Sequence, residues 1–306
     1  MTSNAGFTIL DWTLRPDYLA RQLLRDARLV KVKPGIPAAA MAEEVFTKAG
    51  GPGNVLLHID ASTPADFIRP LEAFCGLLGD AGYAVWNGAM HDIRKRSIHS
   101  LLQRLNLPCA AAKRDGDPDT RVIVKTNLNS RGIAEWEVPD EHRSAMGWPE
   151  RTPSPLDGIQ GYRVMRRKEV DASWWDDPRL VLEEYIDNRD GAFCRVYFCG
   201  EQMVICEGKA LTEVRRMADG FDRYDYLANR KSILEPVLAG VLAPPVVAAA
   251  LAALAVAEAA GLDYGSIDLV RDDAGIPYVV DINLTPYWGR PDGDVRMVDH
   301  LRHGLG

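Results

Sequence analysis

Apolar residues fall into two kinds of run along this chain. Short runs rich in Val, Ile, Leu and Tyr, bounded by Gly, Pro, Asn or Asp, predict strands. Asn54–Asp60 (NVLLHID), Tyr83–Trp86, Arg121–Lys125 (RVIVK), Leu180–Ile186 (LVLEEYI), Cys194–Cys199 and Gln202–Glu207 are of this kind. Longer stretches place their apolar residues at helical spacing. Phe67, Leu71, Phe74, Leu77 and Leu78 form one such stripe, behind Thr63 as N-cap and Pro64 at the first helical position. Ile93–Leu105 forms another, ended near Asn106 and Pro108. A third, rich in Ala, starts at Pro244-Pro245 and stops at Gly261. Strand and helix alternate over the N-terminal hundred or so residues, which predicts a βαβ unit with a parallel sheet. The polar stretch Ala111–Thr120 reads as a boundary. Pro139–Arg163 and Gly208–Arg230 read as mobile segments over a cleft.

The most informative pattern is the hairpin GSIDLVRDDAGIPYVVDINLTP, from Gly265 to Pro286. A turn centred on Ala274–Gly275 puts Asp268 directly opposite Asp281, with Cβ atoms roughly 5 Å apart. Side chains alternate along a strand, so Asn283 shares a face with Asp281, while Ile267, Leu269, Val280 and Ile282 form the buried face. Two carboxylates this close repel unless a cation joins them. Three hard oxygen donors suit Mg²⁺, which commonly arrives with nucleotide phosphates. The competing reading is an exposed hairpin whose acids face water.

Composition narrows the picture. The 306 residues allow two or three subdomains, and 47% hydrophobic content supports a full core. A net charge of −7 argues against nucleic acid or an anionic membrane as partner. The Val237–Leu262 stretch contains Pro244, Pro245 and Glu258, so it reads as a buried helix rather than a membrane span. No N-terminal run has the layout of a signal peptide. Cys75, Cys109, Cys194, Cys199 and Cys206 form no CxxC pair. An odd number of unpaired cysteines with no secretion signal gives the expectation of free thiols and a cytoplasmic protein.

Taken in order, these pieces resemble the ATP-grasp superfamily, and most closely its ribosomal S6 modification enzyme type and related carboxylate–amine ligases. The resemblance covers roughly Trp86 to Pro286, and DINLTP is similar to the family's ExNxxP signature. It implies an α/β (α+β) fold with an N-terminal βαβ domain (1–108), a central subdomain (109–183) and a C-terminal subdomain (184–306) clasping ATP. Asp268, Asp281 and Asn283 would then be the metal ligands, holding two Mg²⁺ ions, with Mn²⁺ as a substitute. Lys125, at the end of RVIVK, matches the lysine that contacts phosphate, and the basic helix before it offers Lys95 or Arg94 for a second. Asn127–Gly132 stands where the family has a glycine-rich loop. Here only Gly132 is glycine, so side-chain contacts from Ser130 or Arg131 would replace backbone cradling. LEEYI resembles the adenine hinge: Tyr185 and Ile186 would read adenine through their backbone, Glu183 or Glu184 would accept from its amino group, and Asp187 or Asn188 would hold the ribose. Arg195 matches an arginine beside the transferred phosphate, with a salt bridge to Glu207 or Asp268 as the competing reading.

The activity implied is amide formation through an acyl phosphate, with ADP and phosphate released. Lys125 and Arg195 are the candidate catalytic residues. Substrates would be small molecules, amino acids or peptides. His91, Arg215, Arg216, Tyr224, Trp288 and Arg290 are candidates for the acceptor pocket, with arginines suited to clamp a carboxylate. Relatives of this kind are commonly homodimers, and no feature of the chain decides its oligomeric state. An ATP-grasp kinase and a non-catalytic ATP-binding module are the alternatives.

Overall fold

The computed structural model describes residues 6–12, 19–59, 62, 64–90, 92–148, 156, 161–210, 212–214, 221–227, 242–286 and 295–305. Three sheets organise them. In the N-terminal sheet, β1 (Phe7–Trp12) lies between β2 (Arg28–Lys31) and β4 (Asn54–Ile59), with β6 (Ala84–Trp86) beyond β4, and all pairs are parallel. β3 (Ile36–Pro37) and β5 (Ile68–Arg69) form a separate short parallel pair. Helices α2 (Ala38–Ala49) and α3 (Leu71–Asp80) cover one face, where Met41, Val45, Phe74 and Leu78 pack with Leu10, Val55 and Leu57. The βαβ expectation therefore holds, but the start of its helix moves. Pro64–Asp66 make only a single 3-10 turn, and α3 begins after Pro70. A proline lacks the N–H a helix needs and disfavours helical backbone at the residue before it, so the helix cannot run through Arg69. Thr63 lies outside the described residues.

The central sheet is antiparallel, with β7 (Arg121–Thr126) between β8 (Tyr162–Arg166) and β9 (Leu180–Glu184). Alternation sorts its residues. Val122, Val124, Leu180 and Leu182 enter a small core that Trp174 and Trp175 flank. Ile123, Lys125, Val181 and Glu183 occupy the opposite face.

The C-terminal sheet runs β12 (Arg223–Leu227), β11 (Gln202–Lys209), β10 (Ala192–Cys199), β13 (Tyr264–Arg271), β14 (Pro277–Asn283), all antiparallel. On one face, Val196, Phe198, Ile205, Ile267 and Ile282 pack against two helices, α4 (Lys95–Arg104) and α7 (Pro244–Ala260). Residues 95–104 thus share the core of the C-terminal sheet, although they precede residue 108. On the other face, Tyr197, Val204 and Tyr264 meet Phe7, Ile9 and Leu56 of the N-terminal sheet, Leu19 and Leu23 of α1 (Leu19–Leu23), and Met297 and Leu301 of α8 (Val295–Arg302). Gly261 ends α7 with φ of 61°, a left-handed conformation that glycine adopts without a Cβ penalty. Among the described residues no helix is long and apolar enough to cross a membrane.

The connection from β7 to β8 corrects an expectation. Residues 139–148 are not a mobile flap. Helices α5 (Ile133–Trp136) and α6 (Asp140–Met146) lead the chain into the N-terminal domain, where Val138 and Met146 are fully buried in the same core as Phe67 and Phe74. Trp148 Nε1 donates to Asp66 at 3.0 Å, and the Arg69 guanidinium donates to the Met146 carbonyl. Similarly, residues 223–227, expected to be mobile, form the edge strand β12. Apolar residues at 138 and 146 outweigh the Pro, Gly and charge around them, because burial returns roughly 25 cal/mol per Å².

Met146→Ala is therefore expected to destabilise the N-terminal core by about 3 kcal/mol, read as a lower urea midpoint, and to raise amide hydrogen exchange across 140–148. A freely moving flap would leave both unchanged.

Candidate active site

The hairpin of β13 and β14 places its acids opposite each other, by a route the sequence conceals. Near the turn the register pairs Arg271 with Pro277 and Leu269 with Val279. Continued unchanged, that register would set Asp268 opposite Val280. A bulge between Asp268 and Leu269 shifts it, so Asp268 pairs with Asp281 and Ser266 with Asn283. The expected facing of Asp268 and Asp281 is thus observed, but the buried residue is Val279 rather than Val280. The turn itself is fixed by Asp272, whose carboxylate accepts from the backbone N–H groups of Ala274 and Ile276.

These side chains share one sheet face with Arg195, which pairs with Asp268 in the β10–β13 ladder. The guanidinium grips the carboxylate in a fork, with Nη2 to Oδ2 at 2.6 Å and Nε to Oδ1. Burial pushes the Asp281 carboxyl up, Lys95 pulls it back, and Asp268 adds to the push. A carboxylate strained in this way, beside a second carboxylate and the Asn283 amide, is the electrostatic setting a divalent cation relieves. Asn283 Oδ1 accepts from Thr285 N–H at 2.9 Å, which fixes the orientation of the amide. The donor set fits a hard cation such as Mg²⁺. At Asp268 that cation would share or displace the grip of Arg195.

Opposite stands the central sheet. Lys125 and Glu183 are diagonal neighbours on one face, and Lys125 Nζ forms an ion pair with Glu183 Oε2. The other oxygen of Glu183 meets His99 Nε2 at 3.0 Å. Glu183 is 2% exposed, whereas Glu184 points outward to Arg167 Nη2 at 3.0 Å. Of the two neighbouring acids, Glu183 faces Lys125 and His99, and Glu184 faces away from them. The Tyr185 N–H donates to the Arg121 carbonyl, the Tyr185 hydroxyl to the Glu213 carbonyl, and Asp187 lies 3.6 Å from the Arg121 guanidinium. Ile186 follows directly, beyond the end of β9.

Lys95 closes the gap between the two walls. It opens α4, is 2% exposed, and sits 3.6 Å from Asp281 Oδ2. Its Nζ donates to the Leu128 carbonyl at 3.0 Å, and its N–H donates to the Asn127 carbonyl at 3.1 Å. Arg94, the other candidate, turns away into a fork with Asp92, at 2.5 Å from Nη2 to Oδ2. The two side chains part for a local reason: an Asp two residues earlier captures the arginine, while the lysine meets Asp281 and the loop.

The loop after β7 has unusual backbone. Ser130, Arg131 and Gly132 are all left-handed, with φ of 44°, 67° and 75°. For the two that are not glycine this costs on the order of 1–3 kcal/mol each, strain of a kind concentrated at ligand sites. Ser130 and Arg131 are exposed, while Gly132 is buried against Leu128.

Sequence reasoning missed three residues. His99 is the second partner of Glu183, one helical turn along from Lys95, and that spacing was the available signal. Tyr162 pairs with Lys125 across β7 and β8, and its phenol is pushed up by burial and by Asp281. Glu135 is a buried acid just beyond the loop, 5% exposed, with its carboxyl pushed up by burial. His91, Arg215, Arg216, Trp288 and Arg290 lie outside the described residues. Tyr224 lies on β12, paired with Cys206 and packed at the edge of the core between the two larger sheets.

No family model matches the chain, and no curated protein matches it. Solved structures do. The ATP-grasp ligase PsnB complexed with minimal precursor, Mg and ADP is 14% identical at a TM-score of 0.52, over 99% of this chain and 98% of that one. PsnB with a phosphomimetic variant of the minimal precursor, Mg and ADP is 15% identical at 0.51, over 98% and 99%. A RimK domain ATP-grasp protein from Sphaerobacter thermophilus is 16% identical at 0.48, over 98% and 96%. The two PsnB likenesses show that the chain has the ATP-grasp fold.

Burial alone would raise the Glu183 carboxyl, but Lys125 and His99 hold it at about 2, below its ordinary 4.5. A group lowered in the folded state stabilises fully above its unfolded pKa, and that stabilisation is lost as pH falls toward the folded value. Glu183→Gln is thus expected to cost about 3 kcal/mol at pH 7. The gap from wild type in urea unfolding should fall below half of that by about pH 3. An equal gap at both pH values would mean that the charge of Glu183 is not what stabilises the cleft.

Proposed function

We propose that this chain is an ATP-dependent carboxylate–amine ligase, forming an amide through an acyl phosphate and releasing ADP and phosphate. The observation that carries this reading is the convergence on one cleft of Lys95, Lys125 and Arg195 with the oxygen donors Asp268, Asp281 and Asn283. The fold supports it. So do the PsnB structures, since that ligase holds Mg and ADP with a minimal precursor on the same fold.

Lys95 and Lys125 would hold the phosphates of ATP from the helix side and the central sheet. In doing so they would exchange Asp281 and Glu183 for phosphate oxygens of the same charge sign. Bound at Asp268, Asp281 and Asn283, Mg²⁺ would supply charge neutralisation at the β- and γ-phosphates. A substrate carboxylate oxygen attacks the γ-phosphorus, the bond to the β-γ bridging oxygen breaks, and ADP leaves. Arg195, held by Asp268, would stabilise charge on the transferred phosphoryl group. The amine nitrogen then attacks the acyl carbon, phosphate departs, and the nitrogen gives up a proton. Ile123 and Val181 on the cleft face offer an apolar wall to the adenine ring. Glu183 and the backbone of Tyr185 and Ile186 would address its polar edge, and Asp187 the ribose. Arg215, Arg216, Trp288, Arg290 and His91 are our candidates for the acceptor, which we take to be an amino acid, peptide or small molecule.

The test is product analysis with ATP, Mg²⁺ and a pool of amino acids and small carboxylic acids. ADP and phosphate should appear together, only when both an acid and an amine are present, and Asp281→Ala should lower the rate by at least about 100-fold. ADP with a stable phosphorylated acceptor would replace the ligase by a phosphotransferase. ADP formation unaffected by Asp281→Ala would overturn the site.

A further inference from the structure

The strained loop is held from outside its own sheet. Asn129 N–H donates to Ser62 Oγ, and Ser62 N–H donates to Glu135 Oε1. Ser62 is fully buried shortly beyond β4 of the N-terminal sheet, while Asn129 and Glu135 flank Ser130, Arg131 and Gly132. One serine thus grips both ends of the left-handed segment. Glu135 is itself fixed from behind, since Arg143 Nη1 on the docked helix α6 donates to its carbonyl at 2.9 Å. Lys95 also reaches the loop, through the Leu128 carbonyl. Glu135 therefore lies within the electrostatic field of a lysine assigned to the nucleotide without being one of the assigned ligands.

We propose that Glu135 is a positioning residue which, through Ser62, locks the loop Asn129–Gly132 onto the N-terminal domain in the conformation that receives the nucleotide phosphates. The physical reason is preorganisation. Two non-glycine residues with positive φ relax to ordinary backbone unless their flanks are fixed, and each hydrogen bond to Ser62 fixes one flank. Freed from Ser62, the loop would populate its bound shape for only a fraction of the time, and the apparent affinity would fall by that fraction. Because Ser62 lies just beyond β4, the same lock ties the loop to the N-terminal sheet. The inference rests on the reading of Asn127–Gly132 as the phosphate loop.

The experiment is calorimetric titration of the full chain with Mg²⁺–AMPPNP, alongside a thermal melt of each variant. Glu135→Ala and Ser62→Ala are expected to weaken binding about tenfold. Glu135→Gln keeps an oxygen that accepts from Ser62 N–H, so it should stay within about threefold of wild type. The melting temperatures of Ser62→Ala and Glu135→Gln should stay near that of wild type. Wild-type affinity in both alanine variants would overturn the lock while leaving the ligase reading intact. So would a tenfold loss in Glu135→Gln equal to that in Glu135→Ala, because the loss would then follow the charge rather than the hydrogen bond. A wild-type chain that does not bind Mg²⁺–AMPPNP would overturn the phosphate-loop assignment itself, and the ligase reading with it.

Discussion

A buried ammonium must be paired, and Lys95 meets that requirement by joining three parts of the molecule. Its side chain reaches Asp281 of the C-terminal sheet and the Leu128 carbonyl of the loop after β7, and its backbone N–H holds Asn127. Almost none of it is open to water, so each partner is needed to offset the cost of burying the charge. The helix it opens packs on the C-terminal core through Ile98, Leu101 and Leu102. The position of the lysine is thereby set by apolar packing, and the loop and the hairpin arrange themselves around it.

The same principle repeats on the facing wall. Lys125 is compensated by Glu183, and Glu183 by His99 from the same helix as Lys95. On the C-terminal sheet Asp268 is compensated by Arg195. The cleft is therefore lined by cations already matched to carboxylates at close range. Each charge on these walls therefore has a counter-charge at close range, which offsets part of the cost of burying it.

Packing decides which segments move with this cleft. The connection between β7 and β8 leaves the central sheet and contributes Val138 and Met146 to the N-terminal core. The C-terminal sheet is covered on both faces, by α4 and α7 on one side and by the N-terminal sheet on the other. Its acids lie on the face turned toward the N-terminal sheet, in the same row as Tyr197 and Tyr264 of that interface. The site thus stands where three cores meet, and no single sheet could build it.

Much of this was legible in the residues. Alternation and turn chemistry determined the strands and the hairpin, and DINLTP, RVIVK and LEEYI marked β14, β7 and β9, because these signals act over a few residues and depend on local geometry. Only the tertiary structure decided the rest. Val279 takes the place of Val280 because a bulge resets the register, and a bulge depends on how the paired strand fits the core beneath it. Lys95 rather than Arg94 meets Asp281, Glu183 rather than Glu184 meets Lys125, and residues 139–148 join the N-terminal core, because each outcome depends on which distant partner a side chain meets. Local sequence sets the conformation a segment prefers. Burial and charge pairing between segments set where it goes, and those energies exist only once the chain has folded.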